Sequence, residues 1–176
     1  MRLGERTYTR PMPARPKITI YTDGSSRGNP GRGGFGTVLL SGARRKEISV
    51  GYEKTTNNRM ELLAVVAGLE VLKLPSEVTL YSDSRYVIDA LNKGWLQGWK
   101  RRGWVKADKQ PVKNVDLWRR LDAAAAGHEI TWKWVKGHAG NRENERCDEL
   151  ATGAADGDQL RVDRGFIQQQ QGELGL

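Results

Sequence analysis

The sequence predicts an α/β protein built on a mixed β-sheet with helices packed against it. Three strand-like segments joined by short turns fill residues 17–53, and short turns of this kind connect antiparallel neighbours. From residue 58 to residue 155, helical and strand-like segments alternate instead. Such alternation is typical of parallel pairing with covering helices, so the two halves together predict a mixed sheet.

The first half of the chain predicts a meander of three strands. Residues 17–23 alternate β-branched, aromatic and apolar side chains, as a buried strand does, and the glycine-rich residues 25–31 that follow predict a tight loop. Residues 31–36 match G-x-G-x-x-G, but a dinucleotide fingerprint must open a helix. Residues 35–40 favour a second strand instead, so we reject that motif. A third strand is predicted at about 45–53.

The second half predicts helices and two more strands. Between residues 58 and 73 the apolar positions fall at helical spacing. The later elements are a strand at 78–83, a short helix at 84–91, a helix at 114–126, a strand at 130–135 and a last helix at 141–155. Residues 1–16, rich in proline and arginine, predict a flexible leader, and the glutamine-rich residues 157–176 predict a disordered tail. The folded domain is therefore expected to span residues 17–156.

Composition narrows the class of protein. With 176 residues, 38% of them hydrophobic and 28% charged, the chain suits one domain with its own core. No apolar run approaches the length of a membrane span, and the N-terminus lacks the apolar centre of a signal peptide. We therefore expect a cytoplasmic protein without membrane association. Cys147 is the only cysteine, which excludes an internal disulfide, and its setting predicts an inert apolar helix residue.

The positive charge is concentrated in residues 93–113, which we call the basic arm. This segment holds seven lysines and arginines against Asp108 alone, and so carries +6 of the net charge of +8. Trp95, Trp99 and Trp104 are interleaved with these charges. Charge this local indicates a polyanionic partner, although a solvated charged face is the commoner meaning of such a run.

Four acidic residues stand at notable places, and each has an ordinary structural explanation. Asp23 ends the first strand in an Asp-Gly pair that fits a turn. Glu61 follows Asn58 at capping-box spacing, and Asp83 precedes a helix as an N-cap would. Asp148 lies in a charged helix, where a solvated face is usual.

Taken together, the acids favour a metal site. If the first and fourth strands are neighbours, Asp23, Glu61 and Asp83 converge at one edge of the sheet. Converging carboxylates repel one another and persist where cations bind between them. Oxygen-only ligands favour Mg²⁺ or Mn²⁺ over zinc. Two such ions about 4 Å apart would activate a water and stabilise the leaving oxygen of a phosphodiester, and the basic arm suggests a nucleic-acid substrate.

Five segments, in order along residues 17–155, resemble the bacterial type 1 ribonucleases H. They are YTDGS at 21–25, TTNNRMEL at 55–62, YSDS at 81–84, WVKGHAG at 134–140 and ENERCDELA at 143–151. The resemblance implies a ribonuclease H-like fold with a five-stranded mixed sheet in the order 3-2-1-4-5 and helices on both faces. It also implies an endonuclease that cuts the RNA strand of RNA–DNA hybrids and leaves 5′-phosphate and 3′-hydroxyl ends. We expect it to act as a monomer.

The same resemblance implies roles for the site residues. Asp23, Glu61, Asp83 and Asp148 would be the catalytic metal ligands for two Mg²⁺ ions, with Mn²⁺ as a substitute. Asp23 would bridge both ions, Glu61 would also touch a 2′-hydroxyl, and His138 would assist proton movement or product departure.

Substrate contacts are implied by the same match. Asn29, Asn57 and Asn58 would reach the minor groove, where 2′-hydroxyls distinguish RNA from DNA. Lys54, Thr56 and Asn114 would grip a DNA-strand phosphate. The basic arm matches a substrate-binding handle, with Trp95, Trp99, Lys100, Arg101, Arg102 and Trp104 as its contact residues. Two places depart from the family pattern: Arg85 stands where close relatives often have an uncharged groove-facing residue, and Asn141-Arg142 stands where some relatives have His-Pro.

Two other functions compete with this one. A non-catalytic module could bind hybrids without cutting them, but it would gain nothing from a full set of repelling carboxylates. An integrase or resolvase would share the fold and the two-metal chemistry, but the residues directed at 2′-hydroxyls and the basic arm argue against it.

Overall fold

The computed structural model describes residues 14–175, which form a six-stranded sheet and six helices. The strands are β1 (Lys17–Ser26), β2 (Gly31–Ser41), β3 (Arg44–Thr55), β4 (Glu77–Ser82), β5 (Glu129–Trp134) and β6 (Leu160–Arg161). The helices are α1 (Asn57–Glu70), α2 (Arg85–Asn92), α3 (Trp95–Arg101), α4 (Val115–Ala125), α5 (Arg142–Asp156) and α6 (Arg164–Glu173).

The sheet order is β5-β4-β1-β2-β3-β6, which confirms the predicted 3-2-1-4-5 arrangement and adds one strand. β1 pairs antiparallel with β2, and β2 with β3, as the short turns predicted. β1 pairs parallel with β4, and β4 with β5. The central strand β1 therefore has β4 beside it, with Thr22 opposite Ser82, and the residues that follow these two emerge at one edge.

Helices cover both faces of the sheet. A Cβ atom added to Gly34 or Gly36 would lie 2.4 Å from a backbone oxygen of α5, so these glycines let α5 approach the strand closely. The residue after Gly36 in β2, Thr37, points the other way and donates a hydrogen bond from its Oγ1 to the Ala64 carbonyl of α1, at 2.7 Å. Successive strand residues face opposite sides, so α5 and α1 lie on opposite faces, as predicted.

The core under α1 is continuous with the base of the basic arm. Trp118 of α4 is fully buried, and its indole nitrogen donates to the Tyr86 hydroxyl at 3.1 Å. Trp99 of α3 meets the Trp118 ring edge-on with centroids 5.2 Å apart. Aromatic pairs in this geometry stabilise a fold beyond the area they bury, so the arm is fixed to the body through Trp99.

The prediction of a disordered tail at 157–176 is wrong. β6 extends the sheet by pairing parallel with β3, and α6 follows with Asp163 as its N-cap. Phe166 is 4% exposed, and the buried Asp163 carboxylate accepts a 2.8 Å hydrogen bond from Arg59 Nε. The partner of Asp163 lies 104 residues earlier in the chain, so composition alone gave no sign of it.

The predicted flexible leader falls almost wholly outside the described residues. Of residues 1–16, only 14–16 are described, and the Pro16 carbonyl accepts a hydrogen bond from the Glu77 N–H at 2.9 Å. This contact ties the start of β1 to β4.

Candidate active site

Three carboxylates meet where β4 ends and its pairing with β1 stops. Asp23 lies on β1, Glu61 on the first turns of α1, and Asp83 directly after β4. Each offers a carboxylate oxygen, and these oxygens lie within 4.8 Å of one another. The convergence predicted from strand neighbourhood is present in the structure.

Gly24 permits this approach of α1 to β1. A Cβ atom at position 24 would lie 2.3 Å from the Glu61 backbone nitrogen, which no side chain can accommodate. The Gly24 N–H also donates a 2.9 Å hydrogen bond to Asp23 Oδ1 and so orients that carboxylate. β1 continues to Ser26, so the Asp-Gly pair lies within the strand and serves close packing and orientation, and the strand end and turn predicted there are wrong.

The ordinary capping explanations for Glu61 and Asp83 do not hold. The N-cap of α1 is Thr56, whose hydroxyl accepts from the Arg59 N–H, so the expected capping box starting at Asn58 does not form. The N-cap of α2 is Ser84, whose hydroxyl accepts from the Val87 N–H. Neither acid therefore caps its helix.

The pKa values of the three acids are all raised. Burial raises the pKa of Asp23 to about 8, and the charges of Asp83 and Asp148 add to the effect. Burial, with the charges of Asp23 and Asp83, also raises the pKa of Glu61 well above its ordinary range. Within residues 14–175, the buried Glu61 Oε2 atom has no hydrogen-bond partner. A buried acceptor without a donor is costly, and a bound cation would remove that cost.

Two further predicted residues border the site. Asp148 is half-buried on α5 and is near enough for its charge to raise the pKa of Asp23, although it is outside the set of three converging carboxylates. The loop that carries His138 lies against Asp83, since a Cβ on Gly137 would be 2.7 Å from Asp83 Oδ2. Burial raises the pKa of Asp83, and the nearby His138 offsets part of the rise.

The comparisons with known proteins agree with this geometry. A family model described as RNase H matches residues 15–156. The chain belongs to the RNase H family. It is therefore a hydrolytic nuclease.

Relatives within the family are close in sequence. The chain is 57% identical over 150 residues to a ribonuclease H of Shewanella amazonensis, which covers 85% of this chain and 96% of the relative. It is 58% identical over 153 residues to a ribonuclease H of Lachnoclostridium phytofermentans, with 84% and 97% covered.

Solved structures share the fold. LC9-RNase H1, a type 1 RNase H with the type 2 active-site motif, aligns with a TM-score of 0.74 at 31% identity, covering 89% of this chain and 81% of that one. LC11-RNase H1, solved in complex with an RNA/DNA hybrid, aligns with a TM-score of 0.60 at 25% identity, covering 79% and 96%.

The predicted groove residues of this RNase H family chain cluster beside α1. Asn29 accepts a 3.2 Å hydrogen bond from the Asn57 N–H, and Asn58 is exposed next to it. Lys54 lies at the exposed end of β3. Asn114 is buried, with its side-chain nitrogen donating to the Tyr86 hydroxyl at 3.1 Å. Tyr86, which the sequence reasoning missed, thus orients Asn114; no pattern in the sequence connects the two.

The tryptophans of the basic arm do not share one role. Trp99 and Trp104 pack against the core, whereas Trp95 is 46% exposed. Trp95 is therefore the most exposed of the three, and Trp99 and Trp104 are half-buried. Of the three predicted cations, Lys100 pairs with Asp122 at 3.1 Å and Arg102 Nε donates to the Val105 carbonyl at 3.3 Å, while the Arg101 side chain is exposed.

Arg85 also lies beside the site. Its guanidinium stacks 3.7 Å above the ring of Trp134, and the indole nitrogen of Trp134 donates to the Asp83 carbonyl at 2.9 Å. The sequence could show only that position 85 is charged, and the stacking explains how an arginine is accommodated next to Asp83.

Proposed function

We propose that this chain is an endoribonuclease that hydrolyses the RNA strand of RNA–DNA hybrids by a two-metal-ion mechanism, with 5′-phosphate and 3′-hydroxyl products. The observation that carries the proposal is the convergence of Asp23, Glu61 and Asp83 with their oxygens within 4.8 Å. Membership of the RNase H family and the hybrid complex of LC11-RNase H1 support the choice of substrate.

The residues present fit a hard divalent cation. The donors are carboxylate oxygens, the ligands that Mg²⁺ and Mn²⁺ prefer. One of them, Glu61 Oε2, is buried and lacks any hydrogen-bond donor among residues 14–175. Asp23, Glu61 and Asp83 would hold the metal, with Asp148 as the fourth ligand. When bound, two Mg²⁺ ions would supply an activated water and stabilise the leaving 3′ oxygen.

The protein's own groups would orient the reaction. Asp23, fixed by the Gly24 N–H, would hold its carboxylate still at the centre of the site. Glu61 would also accept a hydrogen bond from a 2′-hydroxyl and so favour an RNA strand. His138, on a loop against Asp83, would move a proton or help the product leave, which suits an imidazole.

Recognition of the hybrid would come from two surfaces. Asn29, Asn57 and Asn58 would face the minor groove, and Lys54, Thr56 and Asn114 would take a DNA-strand phosphate. The basic arm would add phosphate contacts through Arg101, Lys100 and Arg102, with Trp95 at its exposed surface.

The test is a strand-cutting assay with purified protein and Mg²⁺ on three labelled duplexes: a hybrid, duplex DNA and duplex RNA. We expect cutting of the RNA strand of the hybrid alone, with 5′-phosphate ends. Asp23→Asn should abolish it while hybrid binding is retained, and Asp158→Asn, the same change at an exposed carboxylate, should have no effect. Binding without cutting would instead indicate a hybrid-binding module, and cutting of duplex DNA would indicate an integrase-like enzyme.

Location and assembly belong to the proposal as well. We propose that the chain works in the cytoplasm as a monomer; gel filtration with light scattering tests the second point. Within residues 14–175 no helix is long and apolar enough to cross a membrane.

A further inference from the structure

The C-terminal helix α6 forms one wall of a cleft whose other wall holds predicted substrate-binding residues. The cleft has a volume of about 240 Å³. Asn29, Thr56, Asn58 and Asn114 line it from the body, and Gln169, Gln170 and Glu173 line it from α6. Two of the residues expected to grip a DNA-strand phosphate, Thr56 and Asn114, thus face α6 across a narrow gap.

Gln169 engages Asn114 through both ends of its amide. Gln169 Oε1 accepts the Asn114 backbone N–H at 2.8 Å, and Gln169 Nε2 donates to Asn114 Oδ1 at 3.3 Å. An oxygen of a phosphate would need the same backbone donor that Gln169 Oε1 already occupies. Because one N–H makes one good hydrogen bond, Gln169 and a phosphate cannot both use it fully.

A negative charge on α6 also disfavours a phosphate in the cleft. Glu173 lines the cleft with a carboxylate. A carboxylate near a bound phosphate disfavours it by like-charge repulsion, against the attraction of Lys113 on the opposite wall.

The buried residues of α6 lie at its N-terminal end. Asp163 and Phe166 are buried there, whereas Gln171, Gly172 and Glu173 are exposed. A Cβ placed on Gly172 would meet nothing within 4 Å. The second half of the helix can therefore leave the cleft without disturbing the Arg59–Asp163 contact.

We propose that α6 is an intramolecular competitor for the DNA-strand phosphate: Gln169 holds the Asn114 donor, Glu173 repels the phosphate, and a bound hybrid must displace both. The inference rests on the proposed function, since it needs a hybrid whose phosphate reaches Asn114. The apparent affinity for the hybrid is then lowered by the fraction of molecules in which Gln169 occupies the cleft.

The first test compares Gln169→Ala with Gln171→Ala, a matched change on the same helix at an exposed residue outside the cleft. Hybrid binding is measured in the Asp23→Asn background, so that no strand is cut, over a series of salt concentrations. Gln169→Ala should bind about three- to tenfold more tightly, as expected when one or two competing hydrogen bonds are removed. Because Gln169 and the Asn114 N–H are both uncharged, the salt dependence of binding should stay the same as in the parent. Gln171→Ala should match the parent.

A second test locates the contact. One methylphosphonate, which carries no charge, is placed in turn at each linkage of the DNA strand. In the Gln169→Ala variant, one linkage should become more sensitive to this neutralisation than in the parent. Glu173→Gln should tighten binding by a smaller factor.

The outcomes distinguish a failure of the competitor role of α6 from a failure of the proposed function. Weaker binding by Gln169→Ala would make Gln169 a substrate contact and overturn the competitor, and an unchanged Kd would reduce α6 to a structural element. In either case a parent that still cuts hybrids leaves the proposed function standing. A parent that neither binds nor cuts hybrids would overturn both.

Discussion

Replacing Asp23 by asparagine should stabilise the metal-free protein at neutral pH, as well as remove its activity. Asp23 is 5% exposed, and burial raises its pKa to about 8. Between about pH 4 and pH 8 the folded state therefore retains a proton on Asp23 that the unfolded chain has released. Stability from such a group is fully present below the unfolded pKa and is lost as the pH rises through this window.

The size of the effect follows from the width of the window. Each pH unit costs about 1.4 kcal/mol while the proton difference persists, which sets an upper limit of about 4 kcal/mol at pH 7. Asparagine stays neutral and can still accept the hydrogen bond from the Gly24 N–H. Glu61 and Asp83 remain in the site, so part of the unfavourable free energy of burying carboxylates together persists. We therefore expect the free energy of unfolding to rise by about 2 kcal/mol at pH 7, which corresponds to a Tm rise of about 4–8 °C.

The assay is thermal unfolding in the presence of a chelator at pH 4 and at pH 7, followed by titration with Mg²⁺. Asp23→Asn should match the parent at pH 4 and exceed it at pH 7. Added Mg²⁺ should raise the Tm of the parent, because a ligand bound only by the folded state stabilises it, and should raise that of Asp23→Asn much less. Asp158→Asn serves as the control at an exposed carboxylate. A gain of equal size at both pH values, or a lower Tm at pH 7, would refute the reasoning.

Three other changes follow from the structure. Asp163→Asn should destabilise the fold by about 3 kcal/mol in urea unfolding, because it removes the charge that pairs with the buried Arg59. Asp156→Asn, which removes a charge from an exposed pair, should have a much smaller effect, and equal effects of the two changes would contradict the role of burial. Replacing all of residues 100–102 by alanine should flatten the slope of log Kd against log salt for hybrid binding by about 1 to 3 units. The same change should raise KM with little change in kcat. A collapse of kcat at constant KM would instead mean that these residues act in the transition state. His138→Ala should lower kcat about tenfold or more in steady-state kinetics, and parental kcat would exclude His138 from proton transfer.

The predictions from sequence succeeded where the information was local. The alternation before Asp23 and the helical spacing before and after Glu61 each depend on a few neighbouring residues, and the strand order then brings Asp83 next to Asp23. The carboxylate site could therefore be predicted, because each of its three residues lies in or directly after a regular element that the local pattern predicts.

The C-terminal segment could not be predicted for the opposite reason. Its four consecutive glutamines suggest disorder, yet Asp163 and Phe166 anchor it to the body. The stabilising partner, Arg59, lies in α1 and is 1% exposed. An aspartate and an arginine separated by 104 positions carry no local pattern, so only the folded chain shows that they meet. The competition between Gln169 and a phosphate was hidden in the same way.

Arg59 and Glu61 lie two residues apart on α1 but face different partners. Residues at i and i+2 point to nearly opposite sides of a helix and do not meet. Arg59 forms ion pairs with Asp116 and Asp163, at 2.7 and 2.8 Å, and these two carboxylates compensate its charge. Glu61 faces Asp23 and Asp83, which are also acids. The helix thus keeps its own cation away from the carboxylates, which leaves them available as ligands for a divalent cation.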